Sequence, residues 1–270
     1  MGIYAYCKKD KKLTREHIIP SFLYEYQKKT EGKFVGWVDK AKKVLPVEGV
    51  IKDVCELCNN EVLGSLDDRA SKMLKNSGIL SENYINKTLV LDYDYHFLLR
   101  WLLKVSYNSS RSSDNFPYRF QKYIPYILGD QTDSLDDVFL LVGLTKPDYI
   151  PEHERKDVFD LNSNFPINSD GLSHPFYVRV AWMPQFDNDF VIRVLAIGAL
   201  FFQIIVFVNN IKIGQKRSKV KSWLKSTKGR KVVQKCRKKM VVRQLDQVYL
   251  ETQEFQFERM KMHGAIKSDT

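Results

Sequence analysis

Two hundred and seventy residues with 44% apolar content suffice for one large domain or two ordinary ones, each with a true core. Aromatic content of 13% excludes a disordered chain, and four scattered cysteines exclude a disulfide scaffold, so a reducing cytoplasmic setting is expected. Lys and Arg number 43 against 32 Asp and Glu, a formal +11 that favours an anionic partner.

The opening MGIYAYCKKDKKL places its charge after a short apolar stretch, the reverse of a secretory signal. Residues 27–53 read as an excursion with strand-like pieces around 34–38 and 47–51, punctuated by Gly32, Gly36, Pro46 and Gly49. A helix is expected over 59–74, then a linker at 77–86. Residues 96–107 are apolar on most faces, with Phe97, Trp101 and Val105 stacked four apart, which predicts a buried helix. Residues 109–175 hold six prolines and are expected to be loop-rich. The strongest strand signals follow at 176–183 and 190–208, parted by a turn-like Pro184-Gln-Phe-Asp-Asn-Asp189. Gly198 marks a break between two buried strands there. The run 194–208 falls short of the roughly 20 residues a membrane span needs, so no membrane is expected as a partner. A closing helix over 245–255 is predicted from Leu245, Val248, Tyr249, Thr252 and Phe255 on one face.

The positive charge is local. Between Phe190 and Leu245 there are fifteen Lys and Arg and no acid, fourteen of them from Lys212 to Arg243. Removing those fifteen leaves 28 cations against 32 acids, a formal −4 for the rest of the chain. Phosphate backbones attract such a segment through counterion release, without sequence preference. The alternative is a solvated Lys-rich surface. Lys216, Arg217, Lys219, Lys221, Arg230 and Lys231 are the expected nucleic-acid contacts, with DNA as the partner and RNA as the alternative. A protein partner or a second copy of the chain is a further candidate.

Chemistry concentrates near the N-terminus. Cys55-Glu-Leu-Cys58 is a knuckle whose turn can point two thiolates at one tetrahedral ion, and Cys7 can add a third. Asp10, in Cys7-x-x-Asp10, is the nearest substitute for a fourth ligand; Tyr4 takes the other position where one would stand. Paired cysteines of this kind can also be unliganded core thiols. Glu16 and His17, in Leu13-Thr-Arg-Glu-His-Ile-Ile-Pro20, face opposite sides of a strand unless the backbone bends, and Pro20 suggests a bend. A histidine titrating near neutrality suits proton transfer from water, whereas a lone histidine is often only structural. Neither GxGxxG, GxxxxGK[ST] nor GxSxG occurs, so nucleotide-dependent and α/β-hydrolase chemistry lack support.

Leu13–Pro20, Val54-Cys-Glu-Leu-Cys-Asn-Asn60 and Ser65-Leu-Asp-Asp68, in that order, resemble the HNH endonuclease family in its zinc-stapled branch. The resemblance covers about 75 residues. It implies an N-terminal ββα-metal module over 1–80; the strand and helix signals further along add a larger mixed α+β domain with an antiparallel sheet over 81–270, so the whole chain is expected to be α+β. The resemblance implies His17 as general base, with Glu16 and Asn59 holding catalytic Mg²⁺ or Mn²⁺. A structural Zn²⁺ on Cys7, Asp10, Cys55 and Cys58 would staple hairpin to helix. The expected activity is DNA phosphodiester hydrolysis in bacterial anti-phage defence; the alternative is a nucleic-acid-binding zinc protein with a decayed site. Three departures bear on this, one being the 37 residues between His17 and Cys55, which exceed the spacing of compact members. The first cysteine pair is reduced to Cys7, and Val50-Ile-Lys-Asp53 stands where the family's middle Asn, which orients the histidine, is usual.

Overall fold

The computed structural model describes residues 5–7, 12–31, 36–38, 43–45, 48–113, 116–161, 164–183, 187–227, 229–252, 254, 258 and 262. The chain runs β1 (Leu13–His17), α1 (Ser21–Glu31), β2 (Gly36–Val38), β3 (Lys43–Leu45) and β4 (Val50–Cys55). A π-helical turn, Cys58–Leu63, passes directly into α2 (Gly64–Ser77). Then come β5 (Thr88–Asp92), α3 (Tyr95–Ser112), α4 (Tyr118–Gln121), α5 (Ile124–Leu128), β6 (Val138–Lys146), β7 (Asp148–Tyr149), α6 (Glu152–Leu161) and β8 (Leu172–Ser173). The last elements are β9 (Val178–Trp182), β10 (Phe190–Ile197), β11 (Leu200–Phe207), α7 (Ile213–Ser226), β12 (Lys231–Val232), β13 (Lys239–Val248) and a 3₁₀ turn, Leu250–Thr252.

The protein is α+β. Its main sheet has the order β5-β13-β6-β11-β10-β9, with β12 also on β6. The pairs are antiparallel except β13 with β6, so the sheet is mixed. β1 and β4 form a separate antiparallel pair, as do β2 with β3 and β7 with β8.

The β10–β11 hairpin follows from sequence. β-branched and aromatic residues suit a strand buried on both faces, and every residue of β11 is buried. Gly198 opens the two-residue turn with φ +53°, a conformation costly for other residues. Along β11 the faces alternate. Leu200, Phe202, Ile204 and Val206 join the large core with α2 and α3, whereas Ile205 and Phe207 join a second cluster under Val220 of α7. The large core runs from Tyr6 to Val242, so residues on both sides of position 80 share it.

Two expectations change. Residues 239–248 form β13, and a 3₁₀ turn follows at 250–252, in place of the helix expected over 245–255; residues 253 and 255 lie outside the described set. The backbone of this segment is committed between β5 and β6, and sheet pairing overrides the helical spacing of its apolar residues. The helix α1 follows Pro20 where no helix was expected; it buries Leu23, Tyr24 and Gln27. The expected helices over 59–74 and 96–107 are present as the π turn with α2, and as α3.

Gly143 of β6 lies opposite Phe201, and a Cβ there would come within 2.3 Å of that ring. Gly143→Ala is expected to lower stability by about 1–3 kcal/mol through overpacking, read as an earlier urea midpoint at an unchanged slope.

Candidate functional site

The knuckle closes as its spacing suggests. The Sγ atoms of Cys7, Cys55 and Cys58 all lie within 4.8 Å of one another, with Cys7 and Cys55 3.2 Å apart. Cys55 and Cys58 are buried, and the Cys58 N–H points at Cys55 Sγ at 3.5 Å. A tetrahedral zinc with Zn–S near 2.3 Å separates its sulfurs by about 3.8 Å, so small adjustments bring the three thiolates to one ion. Among the described residues this is the one group of three or more His, Cys, Asp or Glu ligand atoms close enough to share a metal. The expected fourth ligand, Asp10, lies outside the described residues. Burial, reinforced by the neighbouring sulfurs, pushes the Cys58 thiol up to about 12.

The strand carrying Glu16 and His17 is held by β4 and by the start of the helix. β1 pairs with β4 through a bulge between Thr14 and Glu16. Asn59, just past the knuckle, donates its amide to Thr14 Oγ1 and to the Arg15 carbonyl, both at 2.9 Å. Thr14 in turn donates to the Val54 carbonyl at 2.9 Å. The cysteines and Asn59 therefore tie the helix start to the hairpin.

Glu16 and His17 then part, as alternation along a strand requires. Glu16 is buried and meets α3: its Oε1 lies 2.6 Å from Lys104 Nζ and accepts from Asn108 Nδ2 at 2.9 Å. His17 stays one-third exposed, with its Nε2 3.0 Å from Glu48 Oε2. Glu48 is aimed by its neighbour Gly49, which donates its N–H to Tyr24 Oη and accepts from Ile18 N–H. A Cβ on Gly49 would come within 2.6 Å of the Ile18 Cδ1 methyl, so a larger residue there requires the end of that side chain to move. A hydrogen bond from Lys28 holds the Glu48 carboxyl below the usual range, with the neighbouring His17 adding to the effect. Glu48 is thus the carboxylate beside His17, and it precedes Val50–Asp53, where the middle Asn was expected.

Helix α3 answers further charges, the half-buried Asp67 and Asp53 among them, from one face. Trp101 Nε1 donates to Asp67 Oδ1 at 3.0 Å, and Lys104 bridges Asp67, at 2.7 Å, to Glu16. Burial pushes the Lys104 ammonium down, but the Asp67 and Glu16 carboxylates more than offset this and leave its pKa raised. Asn108 also donates to the His17 carbonyl at 3.1 Å and accepts from Tyr6 Oη at 2.7 Å. Arg111 pairs with Asp53, bonds Asn108, and lies over the Tyr6 and Tyr107 rings. The sequence motif contained Asp67, but nothing in it pointed to Glu48 or Lys104.

The six expected nucleic-acid contacts scatter. Lys216 is buried with its ammonium 5.8 Å from the Phe207 ring, and Lys219 pairs with Asp187 and Asp189. Arg230 bonds the Thr227 carbonyl and Gln247, and Lys231 donates to the Val241 carbonyl. Arg217 and Lys221 are exposed on α7. Arg193, counted in the acid-free stretch, is buried against Ser109 and Trp182.

No family model matches this chain, no curated protein matches it in sequence, and no solved structure matches its fold. Among the described residues, no helix is long and apolar enough to cross a membrane.

Because zinc competes with protons for the thiols, uptake of one zinc per chain should release protons and weaken on acidification from about pH 8 to about pH 6. Metal analysis and calorimetry in two buffers check this, and Cys55→Ser should abolish the binding.

Proposed function

We propose that the protein is a metal-dependent endonuclease of the HNH type, hydrolysing phosphodiester bonds of DNA. The reading rests on one juxtaposition. His17 stands partly exposed at the end of β1 against Glu48, while Asn59 ties the helix start to that same strand. Two strands and a helix joined in this way are what the resemblance to HNH nucleases implies.

In the proposed reaction, water on the exposed side of His17 gives its proton to Nδ1 as its oxygen bonds to phosphorus. The bond to the 3′-oxygen breaks, and the electron pair leaves with that oxygen. The Nε2–H donates to Glu48, which fixes the tautomer and stabilises the imidazolium. Glu16 and Asn59 would hold the Mg²⁺ or Mn²⁺, which supplies Lewis-acid stabilisation of the leaving oxygen. Their oxygen donors suit a hard cation. Both described contacts on Glu16 fall on Oε1, and Lys104 is shared by two carboxylates, so the cluster keeps a net negative charge.

The same Lys104 favours a second reading, because an ammonium on Glu16 also competes with a divalent cation. In that reading the protein binds nucleic acid through a zinc-stapled module and does not cut. Plasmid nicking separates the two. Wild type should cut in Mg²⁺ or Mn²⁺, His17→Ala should abolish cutting, and Glu48→Gln should slow it by about ten- to a hundredfold. Equal trace cutting by wild type and His17→Ala, with DNA binding retained, supports the binding-only reading.

A further inference from the structure

The basic segment does not act as one surface, because the fold divides it. Its first half forms α7, which packs over Phe207 and Ile205 on the sheet face away from α2 and α3. Its second half contributes the connection from β12 to β13, where Lys235, Arg237, Lys238 and Lys239 are all exposed.

That connection is pinned beside the N-terminus of α3. Tyr93 donates its N–H to the Lys238 carbonyl at 2.8 Å and its hydroxyl to the Gln234 carbonyl at 3.0 Å. Val233 is buried and donates to the Leu140 carbonyl at 2.9 Å. Lys235 reaches toward the Tyr95 ring, with its ammonium 5.8 Å from the centroid. Cations fixed in this way lose less freedom when they meet a phosphate.

A second basic element borders the same place. Arg69 and Lys72 of α2 line an open groove with Asp92, Tyr93, Asp94 and Phe97. Arg69 is steadied over the Phe97 ring at 4.2 Å. The two acids there are already engaged: Asp92 faces Lys239 at 3.7 Å, and Asp94 caps α3 by accepting from Phe97 N–H at 2.9 Å. Positive charge from positions about 160 residues apart in sequence thus converges around Tyr93.

We propose that this convergence, Arg69 and Lys72 with the Lys235–Lys239 connection, is the surface that holds the backbone of duplex DNA, and that α7 is not. The proposal takes its duplex from the nuclease reading and adds where the duplex lies. Tyr93 and Tyr95 are buried, so they offer no stacking platform for single strands. Cations without such a platform track phosphates. The same helical run carries Asn59 and Arg69, ten residues apart.

The test is fluorescence anisotropy with a short DNA duplex in the full chain carrying His17→Ala, so that the probe stays intact. The triple variant Lys235→Glu, Arg237→Glu, Lys238→Glu should weaken binding by at least about tenfold and flatten the salt dependence by about two to three phosphate contacts. The milder Lys235→Gln, Arg237→Gln, Lys238→Gln variant should fall between it and the parent, which guards against simple misfolding. Arg69→Gln with Lys72→Gln should also weaken binding, whereas Arg217→Glu with Lys221→Glu should stay within about twofold, since α7 makes no phosphate contact. Loss in the α7 variant with none in the connection variants overturns the proposal. So does preference for single-stranded DNA or duplex RNA, or an absence of salt-dependent duplex binding. If binding follows the proposal and the chain with His17 intact does not cut, the surface stands and the nuclease reading fails.

Discussion

A fully buried ammonium holds this molecule in register. Lys104 lies on α3 with no solvent contact, between Glu16 of the β1 strand and Asp67 of α2. Desolvating a charge costs several kcal/mol, so a lone lysine there would give up its proton; two carboxylates within hydrogen-bond reach keep it charged. Removing one partner from such a cluster typically costs about 3–5 kcal/mol, because an uncompensated charge stays behind. The ammonium therefore demands that strand, helix and α3 meet in one arrangement.

The consequence for the site is positional. Trp101, Lys104, Asn108 and Arg111 recur at three- and four-residue steps, so one face of α3 reads Asp67, Glu16, the His17 carbonyl and Asp53 in turn. With Glu16 drawn inward, strand alternation turns His17 outward to Glu48. The cysteine triad and Asn59 do the same work from the other end, fixing the helix start to β1 and β4. Neither support alone is large, since a module of this size builds little core of its own. Much of its apolar burial comes from the core shared with α3 and the sheet.

Much of this could be read from the sequence where the signal is local. Leu66, Ala70, Met73 and Leu74 recur at helical spacing and α2 forms there; the β-branched run after Phe190 becomes two strands broken at Gly198. The cysteine spacing marked a metal-ligand set, and the three thiols do meet. What escaped depends on distant partners. Glu48 is 31 positions from His17, inside a stretch read as an excursion, and Lys104 sits in a run read as a buried helix, apolar on most faces. The terminal segment differs because its backbone continues the strand that pairs β5 and then runs along β6, and that pairing outweighs the helical spacing of its apolar residues. Charge was legible as a sum but not as a surface: composition cannot separate the buried Lys216 and Arg193 from the exposed Arg237.

Coupling between Glu16 and Lys104 sets this arrangement, and a double-mutant cycle measures it. Glu16→Gln, Lys104→Met and the pair would be unfolded in urea under identical conditions. Each single variant should be strongly destabilised while the pair recovers much of the loss, giving a coupling of about 2 kcal/mol or more. Additive losses, with coupling within about 0.5 kcal/mol of zero, would contradict it.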